Sequence, residues 1–206
     1  MDTKDKEIFY DGVWSEASSD YWKTSDLSGV KTPAFVVSED YLERNLQILD
    51  EVQKKTGAKI IMALKGFSLW RIFPLVSRYL QGVDAASLNE ARLGREEFGK
   101  EVSIFAPVYK DEEFDELLET GDRITFNSLS QWHKFKNRIA GASRKIECGL
   151  RVNPQVSQVE SDIYDPCVPG SRLGIKRDDL KPEDLDGISG LHFHCLCESD
   201  AGSLQK

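Results

Sequence analysis

The sequence predicts an α/β fold with parallel strands, and two observations support this prediction. From residue 31 onward, short runs of apolar and β-branched residues alternate regularly with longer amphipathic runs. Polar residues also fall where several of the apolar runs end, which is where α/β proteins build their active sites. The pattern fits either an open doubly wound sheet or an incomplete (β/α)8 barrel, because a complete barrel needs about 250 residues and this chain has 206.

The predicted strands are 34–37, 59–64, 82–86, 102–106, 123–127, 145–153 and 188–194. The predicted helices are 38–57, 68–80, 87–99, 111–121 and 128–141, and residues 198–206 have the composition of the start of another. Ser38 and Gly57 are suitable N-cap and C-cap residues for the first helix. Pro74 predicts that the second helix bends or starts anew, and Ser87 with Glu90 predicts a capping box at the third.

Composition and charge exclude several classes of function. We interpret residues 1–30, which show no period, as an N-terminal arm, and residues 31–206 as the α/β domain, which is either an open sheet or a partial barrel. The net charge of -8 argues against binding to nucleic acid or anionic lipid. The charged start and the lack of an apolar run of about 20 residues argue against a secretion signal or a membrane span, so the predicted location is the cytoplasm. The four cysteines are predicted to be free thiols.

Four predicted strand ends carry polar residues that could form one site. These residues are Lys65; Asp84 and Ser87; Arg151 and Asn153; and His192 and His194. Each also has a simpler interpretation, since Lys65 could be a solvated loop residue, Arg151 a surface residue, and Asp84 a partner in an ion pair. Because parallel strands bring their carboxyl ends to one edge, the ordered set favours a common site.

The segment 190–198 places a His-x-His pair before a Cys-x-Cys pair, which raises the question of a zinc site. Side chains alternate between the two faces of a strand, so His192 and His194 share one face while Cys195 and Cys197 share the other. One ion could not easily bind both pairs, and no metal site is predicted. A structural role in the core and contact with a cofactor both stay open for the histidines.

Five motifs in order resemble one enzyme family. They are ALKGFS (63–68), VDAASLNE (83–90), LRVNP (150–154), YDPCVPGSRLG (164–174) and GLHFHCLCE (190–198). Together they resemble the fold-type III pyridoxal phosphate decarboxylases, over about residues 31–202. The forms DPCVPGSRLG and HFHCLCE are most similar to the carboxynorspermidine (carboxyspermidine) decarboxylase branch. The resemblance implies an incomplete (β/α)8 TIM barrel of the alanine racemase / ornithine decarboxylase type, lacking the last strands and the C-terminal β-domain.

The resemblance also implies roles for individual residues. Lys65 would be the catalytic residue that binds pyridoxal 5'-phosphate covalently, and we expect a partly desolvated environment to keep its amine uncharged. His194 would stack on the cofactor ring. Asp84 and Arg151 match positions in the cofactor environment, and Cys197 stands where relatives have a serine near the phosphate. The role of Arg172, at a basic position that varies among relatives, is less defined.

The implied reaction is decarboxylation of carboxynorspermidine or carboxyspermidine in polyamine biosynthesis, by a family that is homodimeric. Glu198 and Asp200 could meet the ammonium groups of such a substrate. In the family, the phosphate loop and further catalytic residues follow the histidine strand, so we expect this chain to be a truncated form that is inactive alone. The alternatives are a non-catalytic PLP-binding barrel protein, another fold-type III amino-acid decarboxylase of the diaminopimelate or ornithine type, and a non-enzymatic open-sheet interaction module.

Overall fold

The computed structural model describes residues 22–157, 159, 163–197, 199 and 201–205. Its backbone separates into two compact units. The first comprises Met1–Lys59 and Arg78–Leu80, and the second comprises Ile60–Ser77 and Gln81–Lys206. Most of the predicted arm, residues 1–21, lies outside the described residues, so the arm and its boundary at residue 30 stay a prediction.

The first unit is built on the long helix α1, Glu39–Thr56, which has the caps that the sequence predicts. The Ser38 side chain accepts a hydrogen bond from an N–H group of the first turn, and Gly57 ends the helix in the left-handed conformation at a φ of 74°. Within the same unit, Gln53 Nε2 donates a hydrogen bond of 2.9 Å to the carbonyl oxygen of Tyr79. This bond fastens the short segment 78–80 to the helix.

Residues 34–37 do not form the predicted strand, so that prediction is wrong. Among the described residues no strand pairs with this segment, and the Phe35 side chain is fully exposed. A run of β-branched and aromatic residues favours an extended backbone, but a strand also needs a neighbouring backbone to hydrogen-bond with. The sequence supplies the first condition and not the second.

The second unit contains the sheet and the remaining helices. Its strands are β1 (Ile61–Ala63), β2 (Gly82–Ala85), β3 (Glu101–Phe105), β4 (Arg123–Phe126), β5 (Glu147–Asn153), β6 (Ile175–Lys176) and β7 (Gly190–His192). Its α-helices are α2 (Phe73–Val76), α3 (Leu88–Leu93), α4 (Phe114–Thr120), α5 (Leu129–Ala140) and α6 (Ala201–Leu204). A π-helical turn, Gly94–Phe98, extends α3, and short 3₁₀ turns cover Trp70–Ile72, Arg177–Asp179 and Pro182–Leu185.

All seven strands are parallel, and they follow the order β1-β2-β3-β4-β5-β6, with β7 also paired to β5. Each of the first five strands lies beside the one that precedes it in the chain. A doubly wound sheet would reverse its strand order at a switch point, and this sheet does not. The sheet is therefore a partial (β/α) barrel, which confirms the predicted fold class.

The core of the unit lies between the outer face of the sheet and the helices. Fully buried strand residues on that face are Val83, Ala85, Val102, Ile104, Ile124, Phe126 and Leu150. The helices contribute Phe114 and Phe135, whose rings stack with a centroid distance of 3.9 Å. Burial of side chains of this size stabilises the fold by about 1.5–3 kcal/mol each, so this helix-covered face supplies most of the stability of the unit.

The helices and strands match the predicted pattern with two local differences. The predicted helix 68–80 is a 3₁₀ turn followed by the one-turn helix α2, which starts anew at Phe73 with Pro74 in its first turn, as expected, but ends early. The two-residue strand β6 is not predicted, because its pairing with Val152 and Asn153 depends on a distant part of the chain. The helical start expected at 198–206 is confirmed in part by α6.

Capping boxes follow two of the strands and fix how the chain leaves them. Ser87 Oγ accepts from the Glu90 N–H group at 3.2 Å, and the Glu90 carboxylate accepts from the Ala86 N–H group at 2.6 Å, as predicted. Ser128 and Gln131 repeat this arrangement after β4. These caps hold the strand ends at one edge of the sheet, where the candidate site lies.

The long loop before β6 is tied to the ends of β4 and β5. Asn127 Oδ1 accepts from the Gly174 N–H group at 2.9 Å, and Asn127 Nδ2 donates to the Arg172 carbonyl oxygen at 2.8 Å. Gly174 has a φ of +82°, and a Cβ atom there would lie 2.8 Å from the backbone carbon of Val152. Only glycine fits this close approach, so the position fixes where the loop meets β5.

We predict that Gly174→Ala lowers the free energy of unfolding by about 1–3 kcal/mol more than Gly170→Ala. Gly170 lies in the same loop with a φ of +86°, but a Cβ atom there would have no other atom within 4 Å. Both variants place alanine in the left-handed region, and only the first also clashes with backbone. Urea unfolding of the two variants measures the difference, and equal losses would contradict the close-approach argument.

Candidate active site

The parallel register brings the predicted site residues to one edge of the second unit. Ala63 in β1 lies opposite Asp84 in β2, and Lys65 follows two residues later. Arg151 in β5 lies opposite His192 in β7. The charges of Lys65 and Arg151 both act on His192, so residues from three separate strands share one electrostatic environment.

Lys65 is exposed, and its amine forms no hydrogen bond or ion pair within the part of the chain that the structure describes. Its positive charge nevertheless influences the pKa values of Asp84, His192 and His194. The amine therefore lies near these groups. The expectation of a partly desolvated amine is not met, because the described residues leave the side chain open to solvent.

Asp84 is a partly buried carboxyl group with altered acidity. Burial raises its pKa to about 6, the nearby Glu90 carboxylate adds to the increase, and the Lys65 ammonium group opposes it. Glu90 is held there by its capping hydrogen bond to Ala86. Asp84 is thus able to exchange a proton at a pH close to neutral.

Arg151 is a buried cation whose charge no carboxylate balances among the described residues. Only 5% of its surface is exposed, and its guanidinium group forms no ion pair within that part of the chain. It lies over the Phe105 ring, 4.9 Å from the centroid. Burial lowers the pKa of Arg151, while the Cys167 and Cys195 thiols act in the opposite direction. A buried guanidinium group of this kind favours an anionic ligand.

His192 is held neutral in the same region. Its Nε2 atom is buried and has no hydrogen-bond partner among the described residues. Burial lowers the pKa of His192 to about 4, and the charges of Arg151, His194 and Lys65 act in the same direction. The imidazole therefore stays uncharged at neutral pH and has an unused hydrogen-bonding atom.

His194 and Cys197 follow the end of β7, and both are exposed. Loss of hydration lowers the pKa of His194, and the positive charges of Lys65 and Arg151 act in the same direction. Because β7 ends at His192, the regular alternation used to compare the histidines and cysteines does not extend to these residues. Cys195, in contrast, is buried.

A cavity of about 520 Å³ lies on the inner face of the sheet. Among its lining residues are Asp84, Ser103, Thr125, Gly149 and His192. Small polar side chains and glycine leave this face open, whereas large apolar residues fill the outer face. At the amino end of the strands the cavity is lined by an ion-pair network, in which Arg123 contacts Glu101 at 3.1 Å and Glu147 at 2.7 Å.

The described residues contain no group of three or more His, Cys, Asp or Glu side chains arranged to hold a metal ion. None of the helices described is long and apolar enough to cross a lipid bilayer. The groups that the structure does bring together are an exposed primary amine, a carboxyl group of raised pKa, a neutral imidazole and an unpaired buried guanidinium. This set fits a ligand that carries both a carbonyl group and an anionic group.

The sequence prediction missed two residues at the strand ends, Phe105 and Asn127. The rule that polar residues mark strand ends could have found Asn127, which directly follows β4. No comparable signal marks Phe105 as different from the core aromatic residues. Arg172 is exposed and contacts Asn127 through its backbone carbonyl. Glu198 and Asp200 lie outside the described residues.

The chain is similar in sequence to two decarboxylases. It is 42% identical over 180 residues to the carboxyaminopropylagmatine decarboxylase of Synechocystis sp., covering 87% of this chain and 46% of that protein. It is 39% identical over 176 residues to the carboxynorspermidine/carboxyspermidine decarboxylase of Campylobacter jejuni, covering 85% of this chain and 45% of that protein. The chain therefore spans somewhat less than half the length of these relatives. No protein-family model matches it.

Solved structures agree with the sequence comparison. The crystal structure of C. jejuni carboxynorspermidine decarboxylase complexed with norspermidine superposes with a TM-score of 0.74 at 38% identity, over 85% of this chain and 44% of that chain. A diaminopimelate decarboxylase from M. jannaschii superposes with a TM-score of 0.63 at 16% identity, over 82% of this chain and 43% of that chain. The second likeness shows that the fold is shared.

We predict that Asp84 and His192 have opposite effects on stability in acid. The unfolded His192 binds a proton near its ordinary pKa of 6.5, but the folded state resists protonation down to about 4, so this residue makes stability fall as the pH falls. The folded Asp84 binds a proton at about 6, well above its ordinary 3.8, so this residue makes stability rise over much of the same range.

Urea unfolding of Asp84→Asn and His192→Asn between pH 6.5 and 4 measures each effect against the unsubstituted chain. We expect stability to fall more steeply with acidification in Asp84→Asn and less steeply in His192→Asn. Groups distant from the site are common to the three proteins, so their contributions cancel in the comparison. Parallel pH profiles for all three would contradict the assigned pKa directions.

Proposed function

We propose, from homology over most of this chain to the carboxynorspermidine/carboxyspermidine decarboxylases, that it provides the lysine-bearing part of a PLP-dependent decarboxylase acting on a carboxylated polyamine. The observation that carries the proposal is the position of Lys65. It supplies an exposed amine just beyond β1, at the same sheet edge as the buried Arg151. This is the position that the family resemblance assigns to the cofactor lysine.

Several described residues would each make a different contact with the cofactor. Lys65 would bind pyridoxal phosphate covalently through its amine, which must be unprotonated to attack a carbonyl group. His194 would contact the cofactor ring, and Arg151 would interact with a negatively charged group. Cys197, an exposed thiol after β7, would take the place of the serine that lies near the phosphate in relatives.

Two neighbouring groups would shape the proton balance of the site. Asp84, whose pKa burial raises to about 6, can gain or lose a proton near neutral pH beside the Lys65 ammonium group. His192, with a pKa of about 4, offers a hydrogen bond while staying uncharged beside the cations Lys65 and Arg151. When bound, the cofactor provides the electron sink for the pair of electrons left on Cα as carbon dioxide departs.

The substrate class is inferred from the relatives and not from the described residues. The C. jejuni relative is described as a carboxynorspermidine/carboxyspermidine decarboxylase, and its structure was solved with norspermidine. We propose a carboxylated polyamine of this class for the present protein, a role in polyamine biosynthesis, a cytoplasmic location and a homodimeric assembly. Because the chain spans less than half the length of these relatives, turnover is proposed for a protein that also has the equivalent of their remaining residues.

The central test is covalent capture of pyridoxal phosphate by Lys65. The 206-residue chain is incubated with pyridoxal phosphate, reduced with borohydride and digested for peptide mass analysis. We expect the modification on the peptide that contains Lys65, and its loss in Lys65→Ala. Lys59→Ala, at the opposite end of β1 and also exposed, should retain it.

Equal labelling of many surface lysines, or labelling that survives Lys65→Ala, would contradict a specific site. Carbon dioxide release from carboxynorspermidine is measured on the same samples. We expect none from this chain alone, because it spans less than half the length of its decarboxylase relatives. Robust release would confirm the decarboxylase assignment and refute the expected inactivity.

We predict that Arg151→Met weakens pyridoxal phosphate binding by about 10- to 100-fold, the range expected for loss of a charged hydrogen bond. Methionine keeps much of the apolar contact with the Phe105 ring but removes the positive charge. Arg172→Met changes an exposed loop residue and serves as the matched control, so it should have little effect on the affinity for pyridoxal phosphate. Titration by absorbance gives both dissociation constants, and a larger loss in Arg172→Met would reverse the assignment.

A further inference from the structure

We propose that Phe105 is a positioning residue of the strand-end site, which holds the Arg151 guanidinium group and the His192 imidazole against its ring. Its ring centroid lies 4.9 Å from the guanidinium carbon of Arg151 and 5.0 Å from the His192 ring centroid. The effect of these contacts on cofactor affinity rests on the proposed function, whereas the contacts themselves do not.

The register of the sheet explains why Phe105 lies on the same face as Arg151 and His192. Phe105 ends β3, and it is level with Thr125 in β4, Gly149 in β5 and Gly190 in β7. Arg151 and His192 therefore lie two residues further along their strands, on the same face. Because the two glycines have no side chains, the space beside Phe105 stays open toward β5 and β7.

Gly149 and Gly190 differ in how close the nearest atoms would lie to an added Cβ atom. A Cβ atom at Gly149 would lie 3.1 Å from Thr125 Oγ1, whereas one at Gly190 would have no atom within 4 Å. The second glycine is thus not required by local packing. The position therefore has room for a larger side chain on the inner face.

For Arg151 the ring replaces the acidic partner that a buried arginine usually has. Arg151 is 5% exposed as a residue, its guanidinium group makes no ion pair among the described residues, and the Phe105 ring is the aromatic face that it contacts. A cation over an aromatic ring gains about 0.5–2 kcal/mol, more as the pair is desolvated. The contact orients the cation and leaves its N–H donors available to a ligand.

For His192 the ring contributes to the low-water environment. The His192 and Phe105 rings meet at an interplanar angle of 37°, and His192 Nε2 is buried. The charged groups that act on His192 are Arg151 from β5, His194 from the segment after β7, and Lys65 from the segment after β1. All three disfavour a charged imidazole, and the apolar ring adds to this effect by excluding water.

An ordinary core role would not explain these contacts. The core aromatic residues Phe114, Phe126 and Phe135 are fully buried and cluster with one another behind the sheet. Phe105 is only partly buried, and both of its ring contacts are with candidate site residues. The structure therefore separates Phe105 from the core on grounds of position and of partners.

The test compares Phe105→Leu with Phe105→Tyr by NMR on the full chain. The Arg151 Nε–H resonance reports the ring current of Phe105, and the titration of the imidazole reports the pKa of His192. In Phe105→Leu we expect the Arg151 proton to lose its ring-current shift and the pKa of His192 to rise from about 4 toward 6.5. In Phe105→Tyr, which keeps the ring, we expect both signals to stay near their original values.

Phe98→Leu is the control for loss of an aromatic residue from the core. Phe98 is buried against Phe73 with a centroid distance of 5.5 Å, so its loss should lower stability without moving either signal. Should Phe105→Leu not fold, Phe105→Met removes the ring at similar volume and still reports the Arg151 shift. Unchanged Arg151 and His192 signals in the ring-free variants would overturn the proposal.

Pyridoxal phosphate affinity connects this inference to the proposed function. We expect Phe105→Leu to weaken binding by about 10-fold, because Arg151 loses its fixed orientation. If the NMR signals move as expected but no variant binds pyridoxal phosphate, the proposed function fails and the positioning role stands. If binding occurs at Lys65 while the NMR signals stay unchanged, the positioning role fails and the proposed function stands.

Discussion

Parallel strand pairing is the constraint on which the candidate site depends. Because all the strands run in one direction, residues that are far apart in the sequence end at the same edge of the sheet. β5 is central to this arrangement, since it pairs with β4, β6 and β7 along different parts of its length. Arg151 lies opposite His192 in the pairing of β5 with β7. The loss of this pairing would separate the two side chains.

Apolar periodicity was sufficient to predict the parts of the fold that are stabilised locally. Strands β1–β5 and β7 have apolar outward-facing residues or lie between capped helices, so their own sequences define them. The segment 34–37, the early end of α2 and the strand β6 could not be predicted in the same way. Each depends on whether another part of the chain supplies a partner, as Asn127 does for the loop before β6.

Those residues of the candidate site that are charged or titratable could be predicted from the sequence. Lys65, Asp84, Arg151 and His192 were found because charged or titratable residues at strand ends are uncommon without a reason. The exposure of the Lys65 side chain to solvent could not be predicted, because burial depends on which residues surround a side chain in the fold. Phe105 was not found either, since its distinctive feature is its contact with Arg151 and His192, and only the register of the sheet shows that these residues lie on the same face.

The electrostatic balance of the described cluster explains why an anionic cofactor suits it. Lys65 and Arg151 carry positive charge, His192 is neutral, and Asp84 is partly protonated near pH 6. Pyridoxal phosphate would bring compensating negative charge, which favours its binding to this cluster. If the proposed function is correct, the ammonium groups of a polyamine would be repelled by Lys65 and Arg151, and acidic side chains outside the cluster would bind them. The described cluster would then contribute to recognition of the cofactor, and substrate selectivity would depend on residues outside it.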